Sequence, residues 1–241
     1  GFDGLLNISM PEISRELAEA GCAEQLIELG KAGGLKIAWL RDPENPHLDR
    51  STLLALAPYA NDIVIENFGT LDTAEAGMLG QCEGTQLLVY VDSISEAAAE
   101  QLAKASMELL LVSLPHLSPP VAAALAASEA WHVLQVFVEK GALDVESAAA
   151  LSHYRGGELE PSVKVPLSTE AMQALVGYEG HLNIGMPAIS PELAAVLADS
   201  KGTAELWFHD EEPNAKIHEI LSAGKREVTN LDDIIGSGES A

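Results

Sequence analysis

The densest group of ionisable residues in this chain is the stretch HDEEPNAKIHE at 209–219. Its carboxylates and His209 could meet His218 around a zinc ion, since zinc binds imidazole nitrogens and carboxylate oxygens in proteins. However, the surrounding pattern predicts His209 in a strand and His218 in the following helix, on opposite layers of the fold. We therefore interpret the stretch as a surface loop and predict no metal site in it.

A second acidic segment, RDPENPH at 41–47, carries the kind of oxygen ligands that calcium binds. It lacks the ligand spacing and the central glycine of an EF-hand loop. The simpler interpretation is a solvated turn.

Recognised catalytic motifs are absent from the sequence. It contains no glycine-rich nucleotide loop, no nucleophile elbow, no H-E-x-x-H and no paired C-x-x-C. His116 lies in a predicted strand-to-helix loop, but its loop neighbours offer no partner for proton transfer. Cys22 and Cys82 have no metal-type spacing and do not form a disulfide framework. We expect a protein that is not an enzyme and needs no metal or cofactor.

These histidine, cysteine and acidic residues lie within a sequence unit of about 23 residues that recurs along the chain. Residues with a side-chain oxygen recur where a helix should begin, because that oxygen can accept an unpaired N–H of the first turn. They are Ser14, Asp49, Asp72, Ser95, Ser118, Asp144, Ser168, Ser190 and Asn214. A leucine follows eight of these caps by seven residues, and apolar residues alternate with a strand's period upstream of most of them. One period is therefore strand, turn, cap and helix.

This period is too short for an ordinary strand–helix–strand unit, which needs about 30 residues or more. This argues against a doubly wound nucleotide-binding domain. The period fits one coil of a solenoid, in which each coil stacks on the next. The near-identical sequences LNISMPEIS at 6–14 and LNIGMPAIS at 182–190 support an internal duplication.

The strands carry two apolar residues with one residue between them and a further apolar residue five positions later. Leu110, Val112 and Leu117 form one copy, and Leu182, Ile184 and Ile189 form another. On these residues the chain resembles the leucine-rich repeat family over roughly residues 4–221. Where that family usually carries a laddering asparagine, this chain has Pro11, Gly69, Asp92, Pro115, Pro166 and Pro187.

The resemblance implies an α/β fold, a right-handed repeat solenoid with a parallel β-sheet on the concave face and helices on the convex face. We expect about nine coils over residues 1–221, then a C-terminal cap strand and a disordered tail over 222–241. Two irregular places are predicted: the extended first helix with its loop, and a longer connection, GGELEPS at 156–162, before a short strand around Val163 and Val165.

Strand residues that alternate with the core set should lie on the outer, concave face of the sheet, the usual binding surface of a solenoid. The predicted binding residues are Ile65, Asn67, Leu88, Tyr90, Leu111, Ser113, Phe137 and Trp207. Ile65, Leu88 and Leu111 should lie in register on three neighbouring strands. Such an apolar column is typical of a protein-binding patch. It is equally typical of an aliphatic ladder that stabilises the sheet, or of a contact with a second copy of the chain.

The formal charge of −24 disfavours nucleic acid and anionic membrane surfaces as partners, because binding to both depends on clustered cations. It indicates either a basic protein partner or a surface kept in solution by like charge. No apolar run is long enough to span a bilayer and no targeting segment opens the chain, so we expect a soluble protein whose compartment the sequence does not identify.

Together these patterns predict a non-catalytic protein–protein interaction scaffold that binds an unidentified protein partner on the concave sheet face. Two alternatives remain open. One is an enzyme or metal-dependent module built on the strand-to-helix loops at 41–47, 115–118 and 209–213. The other is a structural segment of a longer repeat array, which the abrupt first strand makes plausible.

Overall fold

The computed structural model describes residues 6–8, 35–39, 54, 57–66, 69–200, 202–208, 215–223 and 227–230. The chain divides into two compact units, which we name the N-terminal unit (Gly1–Ser113 with Ala130–His132) and the C-terminal unit (Leu114–Glu129 with Val133–Ala241). Both are α/β, and the paired strands that the structure describes in each are parallel. The predicted α/β class is therefore confirmed.

The N-terminal unit contains strands paired in the order β1-β2-β3-β5-β7, and β4 and β6 form a separate short pair. The strands are β1 (Leu6–Ile8), β2 (Leu35–Trp39), β3 (Asp62–Ile65), β4 (Thr70–Leu71), β5 (Glu83–Tyr90), β6 (Ser93–Ile94) and β7 (Ser106–Leu114). A 3-10 turn at Ala57–Tyr59 precedes β3. Helix α1 (Thr73–Leu79) follows β4, and helix α2 (Glu96–Leu102) follows β6.

The C-terminal unit alternates helices and strands, with the strands paired in chain order from β8 to β12. Its strands are β8 (Val133–Val138), β9 (Glu158–Val163), β10 (His181–Met186), β11 (Thr203–Phe208) and β12 (Glu227–Asn230). Its helices are α3 (Pro119–Ala126), α4 (Val145–Leu151), α5 (Thr169–Leu175), α6 (Pro191–Ala198) and α7 (Ala215–Ala223). Strand β12 occupies the segment for which the sequence predicts a terminal strand.

Neighbouring strands pair residues that lie one period apart in the sequence. Leu87 lies opposite Leu110 in the N-terminal unit, and Leu159 lies opposite Leu182 in the C-terminal unit. The helices repeat in the same way, with α1 on α2 and with α3 to α7 each contacting the next. Each strand and each helix therefore packs mainly on its counterpart in the next period.

The predicted helix caps are confirmed where the structure describes them. Five cap side chains accept the N–H of the third residue after them: Asp72, Ser95, Asp144, Ser168 and Ser190. Ser118 occupies the same position at α3 but makes no such bond. The predicted caps Ser14, Asp49 and Asn214 lie outside the described residues, as does the predicted extension of the first helix.

The core of each unit lies between its helices and one side of its strands. The leucine in the last turn of each described α-helix is fully buried: Leu79, Leu102, Leu125, Leu151, Leu175, Leu197 and Leu221 are all 0 % exposed. Burying one such side chain is worth about 1.5–3 kcal/mol. Alanines one turn earlier, such as Ala99 and Ala148, are also 0 % exposed, which lets the helix lie close to the strands.

Hydrogen bonds from aromatic side chains link consecutive periods, a feature that the sequence does not reveal. The indole N–H of Trp131 donates to the carbonyl oxygen of Ala105 at 2.9 Å. The hydroxyl of Tyr178 donates to the carbonyl oxygen of Gly156 at 2.7 Å. Both bonds satisfy buried or partly buried backbone acceptors one period earlier, which would otherwise cost about 1–3 kcal/mol each.

The predicted long connection at 156–162 is wrong. Strand β9 covers most of it, with Leu159 fully buried, whereas Val165 is 40 % exposed. Two glycines and Pro161 gave the segment the composition of a loop. Pro161 nevertheless lies inside the strand and pairs with Val136, while the alternation Glu158, Leu159, Glu160 is that of a strand with one polar side.

Candidate functional site

The outer side of the N-terminal sheet differs from the predicted apolar column. Ile65 pairs with Val89, and both side chains are 0 % exposed, so the prediction that Ile65 lies outward in register with Leu88 and Leu111 is wrong. The outward residue opposite Leu88 is Val64. Counted from strand residues that pair in register, the helix cap after β3, Asp72, comes one residue later than the caps after β5 and β7. A shift of one residue moves a side chain from the buried side of a strand to the outer side, or the reverse. Gly69, with a φ of 70°, lies in that longer turn.

Only part of the remaining column is accessible. Leu88 and Tyr90 are half-buried, whereas Leu111 is 6 % exposed and Ser113 is 2 % exposed. Leu111 and Ser113 do lie on the outer side of β7, since they pair with Leu88 and Tyr90. The predicted binding residue Asn67 lies outside the described residues.

The outer side of the C-terminal sheet carries a pair of aromatic rings. Phe137 pairs with Ser162 and Trp207 with Gly185, in a row that crosses β8, β9, β10 and β11. The ring centroids are 6.3 Å apart and the ring planes are tilted by 54°. The rings therefore lean towards each other over Ser162 and Gly185, the small residues of this row on the two strands between them. Both are half-buried. The structure thus brings together two of the predicted binding residues.

Gly185 is required by this arrangement. A Cβ atom built on it would lie 2.6 Å from Cε2 of Trp207 and 2.8 Å from Oγ of Ser162. Such distances are too short for any side chain, so the indole ring lies directly on the backbone of β10. The small residue at this position makes room for the large one on the next strand.

A polar row runs beside the aromatic pair on the same side of the sheet. Gln135 pairs with Glu160, and Asn183 pairs with Glu205. The amide nitrogen of Gln135 donates to one carboxylate oxygen of Glu160, and the amide nitrogen of Asn183 lies 3.4 Å from the other. Side-chain amides on two neighbouring strands therefore hold Glu160 in place.

Burial raises the pKa of Glu160 from its ordinary value near 4.5 to about 7. A hydrogen bond to Glu158 and the negative charge of Glu158 raise the pKa further, while the bonds from Asn183 and Gln135 lower it. Two carboxyl groups this close disfavour simultaneous ionisation. Glu160 therefore takes up or releases a proton near neutral pH.

His181 lies beside the carboxylates of Glu158, its partner on β9, and of Glu205 in the polar row. Its Nε2 atom is 3.5 Å from Oε1 of Glu158 and 3.7 Å from Oε1 of Glu205, and its Nδ1 atom is 2.8 Å from Oγ1 of Thr203. Within the described residues, no group of three or more histidine, cysteine or acidic side chains could hold a metal ion. The cluster is a set of carboxylates held by one histidine and two side-chain amides, beside two aromatic rings.

We name this surface the acidic-aromatic face. It comprises the outward residues Gln135, Phe137, Glu158, Glu160, His181, Asn183, Glu205 and Trp207. The functional candidates named from the sequence did not include Glu158, Glu160, His181 and Glu205. For Glu158 and Glu160, the strand-like alternation at 158–160 was the available signal, which the preceding glycines and Pro161 obscured.

Of the three loops proposed for an enzyme, the structure describes only 115–118. His116 is exposed there, and its ring lies against Gly141. The loops at 41–47 and 209–213 lie outside the described residues, and so does the zinc candidate built on His209.

The chain matches no protein-family model, no curated protein and no solved structure. The resemblance to leucine-rich repeats therefore stays a prediction. Across the described parts of the chain, none of the helices has the length and apolar character needed to cross a membrane.

Proposed function

We propose that this chain is a right-handed repeat solenoid that serves as a non-catalytic scaffold and binds a protein partner on the outer, concave side of its strands. The solenoid is supported by parallel strands and packed helices that each contact the next period within a unit. The binding role rests on one observation, the pair of half-buried rings of Phe137 and Trp207 on a sheet surface whose other outward residues are mostly polar.

An aromatic pair in this position contributes little to the core of its own unit, because the core lies on the other side of the strands. Large aromatic rings bury much apolar area when a partner covers them, and tryptophan is enriched among the residues that dominate binding energy. Polar groups around them resemble the rim of a protein interface. The C-terminal unit therefore offers the better binding surface.

The outer side of the N-terminal sheet supports the proposal less well. Leu111 and Ser113 are almost fully buried, so substitutions there would change the stability of the fold as well as any binding. Leu88 and Tyr90 remain candidates for an additional contact.

The proposal is tested by affinity capture from the native source, with proteins quantified by mass spectrometry. We expect a partner that the native chain retains and the double variant Phe137→Ala, Trp207→Ala does not, with unchanged circular dichroism for both chains. The matched control is Val145→Ala, Val165→Ala, which removes apolar side chains that are 44 % and 40 % exposed elsewhere in the same unit. If the aromatic variant and the native chain capture the same proteins, the scaffold proposal for this face is wrong.

A further inference from the structure

We propose that the outer side of the C-terminal sheet carries a pH-sensitive switch, which two protons close below neutral pH and whose opening loosens the pairing of β9, β10 and β11. The switch consists of Glu158, Glu160, His181 and Glu205. It acts on the strands themselves, so it goes beyond the proposed function and does not depend on a partner.

The first part of the switch is the bridge that His181 makes between the strands on either side of it. Its Nε2 atom lies at ion-pair distance from Glu158 on β9, at 3.5 Å, and from Glu205 on β11, at 3.7 Å. Its Nδ1 atom lies 2.8 Å from the hydroxyl oxygen of Thr203, which is also on β11. A positive charge on this ring therefore attracts a carboxylate on each adjacent strand.

This bridge depends on a proton. Histidine is the side chain that ordinarily changes its charge between about pH 5 and about pH 8. With the proton, both ring nitrogens are donors and the ring is positive, so His181 offsets the two carboxylates beside it. Without the proton, the ring has one N–H group and no charge. The attraction that joins Glu158 and Glu205 through the middle strand is then lost.

The second part of the switch is the contact between Glu158 and Glu160, which lie two residues apart on the outer side of β9. A hydrogen bond joins the two carboxyl groups, and such a bond needs a proton on one of them. The amides of Gln135 on β8 and Asn183 on β10 hold Glu160 from either side. Burial, the hydrogen bond to Glu158 and the charge of Glu158 raise the pKa of Glu160 to about 7. This proton is therefore lost as the pH rises through neutrality.

Loss of either proton acts in the same direction. Below neutral pH, Glu160 is neutral and the positive charge of His181 lies between two carboxylates. Above neutral pH, three carboxylates on β9 and β11 are ionised and the imidazole is neutral, so the carboxylates repel one another without a positive charge between them. The pairing of the three strands is therefore tightest in mild acid and loosens as the pH rises.

The other groups that face the switch do not reverse this direction. Tyr178, which precedes β10, has a pKa raised to about 12 by burial and by the charge of Glu158, so it stays neutral. On β8, a valine and a glutamine pair with the two glutamates of β9, and neither titrates. On β12, the register partner of Glu205 is another acidic residue, Glu227. None of these described neighbours supplies a positive charge that could replace that of His181.

The test is amide hydrogen exchange of the full chain at about pH 6 and about pH 8, corrected for the intrinsic pH dependence of exchange. We expect the protection of β9, β10 and β11 to fall roughly fivefold over this range relative to that of β5 and β7, because half-exposed ion pairs contribute modestly to strand pairing. If the protection of the three strands does not fall relative to β5 and β7, the proposal is overturned.

The variant Glu160→Gln, His181→Gln removes both protons and keeps side chains that form hydrogen bonds. Its corrected exchange in the three strands should agree within about twofold at the two pH values. The matched control, Glu179→Gln with His153→Gln, changes one exposed glutamate and one exposed histidine of the same unit outside the switch. It should keep the native pH dependence. If the switch variant keeps that dependence too, or the control loses it, the effect belongs to the general charge of the chain and the proposal is wrong.

A direct titration of the native chain covers the case in which the switch variant does not fold. In a chain with glutamate labelled by ¹³C at the carboxyl carbon, the resonances of Glu158 and Glu160 should shift together over a pH range near neutrality, because the two groups share one proton. Independent titration of both groups near the ordinary glutamate value of about 4.3 would overturn the proposal.

Discussion

At the scale of single residues, Glu160 has the most altered chemistry among the described side chains of the acidic-aromatic face. Burial raises its pKa to about 7, and Glu158 lies within hydrogen-bonding distance. In the unfolded chain the same carboxyl group should titrate near its ordinary value of about 4.5. The folded state therefore holds this proton more tightly than the unfolded state.

This difference sets the direction of a pH effect on stability. The contribution is fully present below about pH 4.5 and is lost as the pH rises to about 7, because the unfolded chain then ionises more readily. Glu160→Gln removes the effect. The free energy of unfolding of this variant should therefore increase relative to the native chain by about 1 kcal/mol across that range, less than the full linkage value because Glu160 is only half-buried.

Chemical denaturation at a series of pH values measures this difference. The control Glu179→Gln changes an exposed carboxylate in a loop of the same unit, and its curve should run parallel to that of the native chain. A constant difference between Glu160→Gln and the native chain would show that the proton is not held by this carboxyl group.

Individual site residues were predictable only where the strand pattern was regular. Phe137 and Trp207 lie on the outer side as predicted, because β8 and β11 alternate strictly between buried and half-exposed residues. Ile65 was misplaced because one additional turn residue shifts the pattern by one position. The mutual approach of Phe137 and Trp207 could not be predicted, since it depends on the small residues Ser162 and Gly185 between them.

At the scale of elements, the helix caps are the most predictable feature of this chain. A cap needs only one side-chain oxygen and a following apolar pattern, both of which are local in sequence. The chain offers a matched pair in Ser118 and Ser190, each followed by proline at the first helical position. Only Ser190 accepts a backbone N–H, from Leu193 at 3.2 Å.

Removing the hydroxyl should therefore have different effects at the two caps. We expect Ser190→Ala to lower the free energy of unfolding by about 1 kcal/mol, because the N–H of Leu193 loses its acceptor. Ser118→Ala should change it by less than about 0.5 kcal/mol. Thermal and urea denaturation of the two variants measure these differences. Equal losses at both positions would mean that the hydroxyl bond is not what stabilises α6.

The links between elements were less predictable than the elements. The bonds from Trp131 to Ala105 and from Tyr178 to Gly156 join residues more than 20 positions apart. The sequence pattern predicts the length of the period, but it does not predict which side chain forms a hydrogen bond to the backbone of the neighbouring period. Strand β9 was likewise hidden by the two glycines before it and by Pro161 within it, although pairing on both of its edges holds it in place.

At the scale of the whole molecule, the α/β class with parallel strands followed directly from the repeated strand, cap and helix. The division into two units did not follow, because it depends on contacts that a periodic pattern does not specify. Ala130–His132 belongs to the N-terminal unit although the residues on either side belong to the other unit. If the chain is a solenoid, as proposed, its free energy of unfolding should be nearly a sum of contributions from each period and from its contact with the next.

If stability is nearly a sum over neighbouring periods, a destabilising substitution in the core should affect mainly its own period and the next. Leu175→Ala, at a position that is 0 % exposed, should cost about 3 kcal/mol. Amide hydrogen exchange should accelerate most in β9 and β10, whose period loses the leucine, and least in β5 and β7. The reciprocal variant Leu102→Ala, equally buried in the N-terminal unit, should reverse this order. Uniform acceleration in both variants would argue for a single cooperative core.

The contact between Gly185 and Trp207 also has an evolutionary consequence. With the indole lying on the backbone of β10, any side chain at position 185 must displace the ring. Neither position can therefore drift on its own: a larger residue at 185 is compatible only with a smaller one at 207. In descendants of this sequence the glycine and the tryptophan should be inherited or lost together, so the pair records whether the aromatic surface itself has been retained.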